Sequence, residues 1–247
     1  MTKELTGKVA IVTGAGRNIG RAIALTLAEG GASIVVNARS NRAEAEAVAR
    51  EIESSGGKAL VHIGDVSDPK AVHALAAAAT QQFGQIDCLV NNAALRREKS
   101  FAEMDYREWR EILDVTLDGT FHCVKACLPA IKKSDMGSIV NVGGLTGAMG
   151  APDRAHVVTA KAGIAGFSRA LAMELSPYKI TVNTLVPAML ARPDKPNEIP
   201  PHPIYRPLLG RAAWPSDIAP LARFLVGPGA RYITGQLVNV NGGTHFH

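Results

Sequence analysis

Short apolar runs and amphipathic stretches alternate along the whole chain, and that alternation leaves few ways to fold it. Residues 9–12 read Val-Ala-Ile-Val, and comparable runs recur at 34–36, 60–63, 86–90, 138–142, 180–186 and 236–240. They are rich in β-branched residues and show little polar alternation, as expected of strands buried on both faces. Between them lie stretches with helical periodicity at 19–29, 42–54, 70–83, 106–133, 153–175 and 215–225. In the first, Ile19, Ala22, Ile23 and Leu27 form one stripe, and Gly30-Gly31 closes it; Gly56-Gly57 closes the second. Strands and helices joined by short connections predict an α/β architecture, a doubly wound parallel sheet covered by helices on both faces. No repeat or linker divides the chain, so residues 1–247 are expected to form a single domain.

One segment breaks the pattern. Residues 188–210 carry Pro193, Pro196, Pro200, Pro201, Pro203 and Pro207, a density that blocks helix and central strand alike. A loop of this length in a compact domain is expected to be a substrate lid. No N-terminal stretch reads as a signal peptide and no apolar run approaches a membrane span, so a cytoplasmic protein with no membrane partner is expected. The net charge of +5 is modest and spread out, which argues against nucleic acid as a partner. Cys123 and Cys127 are four apart on a predicted helix but have no matching Cys/His pair. They, like Cys88, are expected to pack rather than bind metal.

The chemistry-bearing motif joins the first strand to the first helix: Thr13-Gly14-Ala15-Gly16-Arg17-Asn18-Ile19-Gly20. Glycines let a backbone turn tightly against a pyrophosphate, and the helix N-terminus supplies free N–H groups and partial positive charge. Dinucleotide binding beyond the carboxyl ends of the strands follows, in a Rossmann-type domain. In this order of motifs the chain resembles the short-chain dehydrogenase/reductase family. Asn18 stands for the middle glycine of the family turn, a mild change because asparagine tolerates left-handed backbone. Asp65-Val66 resembles the family's adenine contact, and Asn91-Asn92-Ala93-Ala94 its Asn-Asn-Ala-Gly turn. Asn183 to Pro187, Ile233 to Gln236 and Gly242-Gly243 also fit, so the resemblance runs from about Lys8 to Gly243.

The resemblance implies that Gly14, Gly16, Arg17, Asn18, Ile19, Gly20, Asp65, Val66, Asn91, Asn92 and Ala93 border the cofactor, with Pro187 and Leu190 near its nicotinamide. Cofactor choice has a physical argument of its own. Residues 37–42, Asn-Ala-Arg-Ser-Asn-Arg, lack the acid that holds a ribose diol. Arg39 and Arg17 can instead clamp a 2′-phosphate, so NADP(H) is favoured over NAD(H).

The family's catalytic Asn, Ser, Tyr and Lys fall, by motif, at Thr116, Gly144, Val157 and Lys161. Only the lysine matches. Valine can neither give nor take the proton that balances hydride transfer, and Gly144 removes the hydroxyl that would orient the substrate oxygen. Lys161 is expected to hold the nicotinamide ribose, and Thr116 to bind a water. Replacement acids are sought in the lid, at Tyr205 first and His202 next; His156 is expected to pack or face solvent.

Arg96, Arg154 and Arg192, with Arg97, fall in loops expected to border the substrate pocket, which suggests an anionic substrate. The leading expectation is an NADP(H)-dependent oxidoreductase with a non-standard proton donor. A non-redox lyase or isomerase on the same scaffold and a catalytically silent NADP(H)-binding subunit or sensor are the alternatives. The resemblance also implies a homo-oligomer, tetramer or dimer.

Overall fold

A computed structural model describes residues 3–191, 194 and 206–246. Seven strands form one sheet: β1 (Val9–Val12), β2 (Ser33–Ala38), β3 (Lys58–Ile63), β4 (Cys88–Asn91), β5 (Ser138–Val142), β6 (Thr181–Pro187) and β7 (Leu237–Val240). Their order is β3-β2-β1-β4-β5-β6-β7, and every pairing is parallel. The winding direction reverses between β1 and β4, where Val12 lies beside Val90. A crevice opens at such a reversal, beyond the carboxyl ends of both strands.

The helices are α1 (Asn18–Glu29), α2 (Arg42–Ser54), α3 (Pro69–Phe83), α4 (Tyr106–Leu113), α5 (Gly119–Ile131), α6 (Leu145–Met149), α7 (Ala155–Leu175) and α8 (Pro215–Val226). Alternate strand residues face opposite ways. Ala10, Val12, Ile34, Val36, Val90 and Val140 pack with α1, α2 and α8. Ile11, Val35, Leu89, Ile139 and Val182 pack with α3, α5 and α7 on the other face. The expected doubly wound sheet is therefore present, with one apolar layer on each side.

Local chemistry fixes the helix ends. Asp68 caps α3 by accepting from Lys70 N at 2.9 Å, and Gly84 ends it at φ 82°. Asp105 and Glu108 form a reciprocal capping box on α4, at 2.7 and 3.1 Å.

Two expectations on helices need correction. The span 106–133 is not one helix, because a π-helical turn at Asp114–Asp118 separates α4 from α5. Arg110 reaches across that turn to both Asp114 and Asp118, and the Thr120 hydroxyl donates to Thr116 O at 2.8 Å. The wider turn brings Gly119 so close to Val66 that a Cβ would lie 2.7 Å from Val66 Cγ2. The span 153–175 starts later, at Ala155, because Asp153 takes a left-handed φ of 56°. The short α6 precedes it.

Most of the Pro-rich segment, with Arg192, His202 and Tyr205, lies outside the described residues. Its two ends are anchored. Ala191 N donates to Ala213 O at 2.8 Å, Ala188 N to Val240 O at 3.0 Å and Leu209 N to Gly242 O at 3.2 Å.

Candidate active site

The Gly-rich turn is built against the Asn-Asn-Ala turn across the sheet reversal. Asn92 N and Ala93 N both donate to Thr13 Oγ1 at 3.0 Å. Asn92 Nδ2 donates to Thr13 O at 2.9 Å and Gly14 O at 3.0 Å. Two glycines are required. Gly14 has φ 62°, and a Cβ on Gly20 would come within 2.2 Å of Gly14 O and 2.5 Å of Asn92 Nδ2. Asn18 takes φ 49°, the left-handed backbone expected at the position where the family turn has glycine.

The start of α1 differs from those of α2, α3 and α4. Arg17 at its N-cap makes no side-chain cap, and its first turn holds no acidic residue. Its first turn lines the cleft with no side-chain cap on its N–H groups, which fits a bound pyrophosphate. The cleft has a volume of about 560 Å³. Gly14, Gly16, Arg17, Asn18, Ile19, Gly20, Arg39, Asp65, Val66, Asn92, Ala93 and Leu190 all line it. Asp65 Oδ1 accepts from Ser67 N at 2.9 Å and Ser67 Oγ at 2.8 Å, which fixes its carboxylate at the cleft.

Asn91 does not line the cleft. Its side chain is buried and donates to Asn141 Oδ1 at 2.8 Å, so it ties β4 to β5. Arg17 and Arg39 are exposed at the cleft and form no ion pair among the described residues. Sequence reasoning missed Glu44, which also lines the cleft; a Cβ on Gly16 would lie 3.5 Å from its Oε2. The signal was available. Asn41 caps α2 by accepting from Glu44 N at 3.2 Å, which places residue 44 in the first turn beside the glycine loop.

A second cavity of about 510 Å³ adjoins the first, and Arg96 and Leu190 line both. Its lining includes Lys161, with Val157 one helical turn earlier, Gly143 and Gly144 after β5, and Pro187 at the end of β6. Lys161 is only 6% exposed, and its Nζ donates to Val142 O at 2.7 Å. A Cβ on Gly144 would sit 3.5 Å from Lys161 Cγ and 3.9 Å from Cε, so the glycine leaves space beside the lysine stem. Burial first, and then the positive charge of Arg96, bring the Lys161 pKa down to about 7.

Thr116 lies apart from this cavity, buried in the π-helical turn with its Oγ1 unpartnered among the described residues. His156 is fully buried, so of its two expected settings the packed one applies. Cys123 and Cys127 are buried, and loss of solvent raises both thiols, Cys127 to about 12, which leaves them unreactive.

The arginines are unequal. Arg154 Nε donates to Glu98 Oε1 at 3.1 Å, and Arg97 donates to Glu111 Oε1 at 2.8 Å. Arg96 has no ion pair or hydrogen bond among the described residues. Desolvation and the nearby Arg154 lower its pKa, yet a guanidinium stays charged at neutral pH.

The sequence profile of the family described as Enoyl-(Acyl carrier protein) reductase matches residues 14–245. A 3-oxoacyl-(acyl-carrier-protein) reductase from Synechocystis sp. is 39% identical over 241 residues, covering 97% of each chain. The chain belongs to the short-chain dehydrogenase/reductase family. Another relative, the 3-oxoacyl-(acyl-carrier-protein) reductase of Vibrio cholerae, is 38% identical and covers 98% of this chain and 99% of its own. Among solved structures, a dehydrogenase/reductase from Sinorhizobium meliloti superposes with a TM-score of 0.93 at 30% identity, covering 99% of this chain and 98% of that one. Among the described residues no helix is long and apolar enough to cross a membrane.

Proposed function

We propose that the chain is an NADP(H)-dependent oxidoreductase of small, anionic carbonyl or alcohol substrates. The observation that carries this reading is the continuity of the two cavities: Arg96 and Leu190 line both, and Lys161 lines the second. A dinucleotide laid from Asp65 along the uncapped end of α1 would bring its nicotinamide toward Pro187, Leu190 and Lys161. Its reduced form supplies the hydride for a carbonyl carbon. Arg17 and Arg39, with no ion-pair partner among the described residues, favour a 2′-phosphate. Glu44 opposes it with like charge and limits the margin over NAD(H). The guanidinium of Arg96, unpaired among the described residues, would hold a carboxylate or phosphate of the substrate. The relatives named as acyl-carrier-protein reductases support carbonyl reduction as the reaction type. A homo-oligomer in solution belongs to the same proposal.

Calorimetric titration with NADPH and NADH, followed by NADPH absorbance with a panel of small oxo acids, tests it. NADPH is expected to bind more tightly than NADH and to be consumed only with a carbonyl present. One observation favours a second reading. Val157 and Gly144 remove two hydrogen-bonding groups from the reaction end, as in a cofactor-binding subunit without chemistry of its own. That reading expects NADPH binding with no consumption across the panel.

A further inference from the structure

A family member without the tyrosine needs a proton from elsewhere, and the wall of the second cavity limits the choice. Its described polar side chains are Arg96, Arg97, Glu98, Thr146, Arg154 and Lys161. Guanidinium groups do not release protons in this range. Glu98 accepts from Arg154, and an aliphatic hydroxyl such as that of Thr146 is too weak an acid. Lys161 remains. Resting on the functional reading above, we propose that Lys161 is itself the acid that delivers the proton to the substrate oxygen.

The geometry leaves the amine available. Val142 O occupies one of its three N–H donors. No carboxylate lies within ion-pair distance of Lys161 among the described residues. Val157 offers no hydroxyl to bond it, and Gly144 puts no side chain against its stem. The charged groups on neighbouring elements are largely spent on one another. On α4 and the π-helical turn, Arg110 binds Asp114 and Asp118. Arg97 binds Glu111, and Arg154 binds Glu98. On the same helix, burial first and Arg97 lower the pKa of His156, while Glu108 raises it. Arg96 is the charge that acts on Lys161, and it acts by repulsion, together with burial.

The step balances. As a hydride adds its two electrons to the carbonyl carbon, the C=O π pair moves to oxygen. The N–H bond of the ammonium breaks, an O–H bond forms, and Lys161 is left as a neutral amine that takes a proton back from solvent. A general acid works best with a pKa near the operating pH, which is where burial and Arg96 bring this lysine.

The test has a readout independent of turnover. With lysine labelled at Cε, NMR titration of the cofactor-free chain is expected to show one resonance moving near pH 7, absent in Lys161→Arg. Because the ammonium form gives the proton, carbonyl reduction is expected to be level below pH about 7 and to fall tenfold per pH unit above it. Lys161→Arg keeps the charge but cannot release a proton. It is expected to lose about 100-fold or more in turnover while NADPH affinity stays within about fivefold. In Arg96→Gln the break moves to higher pH, as removal of a like charge requires. A Lys161 resonance that titrates above pH 9, or turnover in Lys161→Arg within about threefold of the unaltered chain, overturns the inference and leaves the oxidoreductase reading standing. No consumption of bound NADPH by any oxo acid overturns both.

Discussion

The two ends of the trough have treated their side chains in opposite ways. At the dinucleotide end, Thr13, Gly14, Gly20 and Asn92 interlock so closely that a single added carbon has no room. At the reaction end, Gly144 and Val157 leave open space and no hydrogen-bonding group, and Lys161 is held through one backbone carbonyl. Binding a phosphate needs many weak donors from a rigid backbone, so it depends on shape. Proton transfer needs one group of suitable pKa within reach, so it can be reassigned to another residue when the cavity lowers that residue's pKa.

The largest expected effect breaks the tight end. Gly20→Val places methyl groups where even a Cβ meets Gly14 O, and NADPH affinity is expected to fall by about 100-fold or more. Calorimetry measures it, and circular dichroism separates lost binding from lost folding. Next comes the double change Arg17→Ala with Arg39→Ala. Removing charge-assisted contacts to a phosphate is expected to weaken NADPH by about 10- to 100-fold and leave NADH nearly unchanged. Equal losses for both cofactors would show that the arginines do not read the 2′-phosphate. Glu44→Gln sharpens the same point with opposite sign, improving NADPH affinity by about two- to fivefold at low salt. The smallest expected effect is at the loose end. Val157→Tyr restores a phenol but neither Gly144 nor Thr116, so ketone reduction is expected to stay within about threefold of the starting chain. Robust ketone turnover in that single variant would mean that the tyrosine alone was missing.

The dinucleotide end was largely legible in the sequence because its rules are local. A strand, a glycine turn and a helix occupy adjacent residues, and Asn18 announces its left-handed backbone by its residue type. Strand and core positions followed from β-branched runs for the same reason. The reaction end depends on partners distant in sequence. Arg154 meets Glu98 and Arg97 meets Glu111 only after folding, so four similar loop arginines could not be told apart. Only the fold shows that, among the described residues, Arg96 has no ion-pair partner while Arg97 and Arg154 are paired. The π-helical turn at Asp114–Asp118 was also silent, because its residues suit an ordinary helix and its close neighbour Val66 is distant in sequence. The lowered pKa of Lys161 was silent too, because it comes from burial first and then from Arg96, which is distant in sequence.

The Thr13 hydroxyl, which accepts from two successive amides of the neighbouring turn, has a consequence for motion. Ligand-contacting loops usually belong to the least stable parts of a fold. Here the N–H groups of Asn92 and Ala93 are expected to exchange with deuterium nearly as slowly as those of the central strands. A mouth already ordered before anything enters surrenders little conformational entropy on filling.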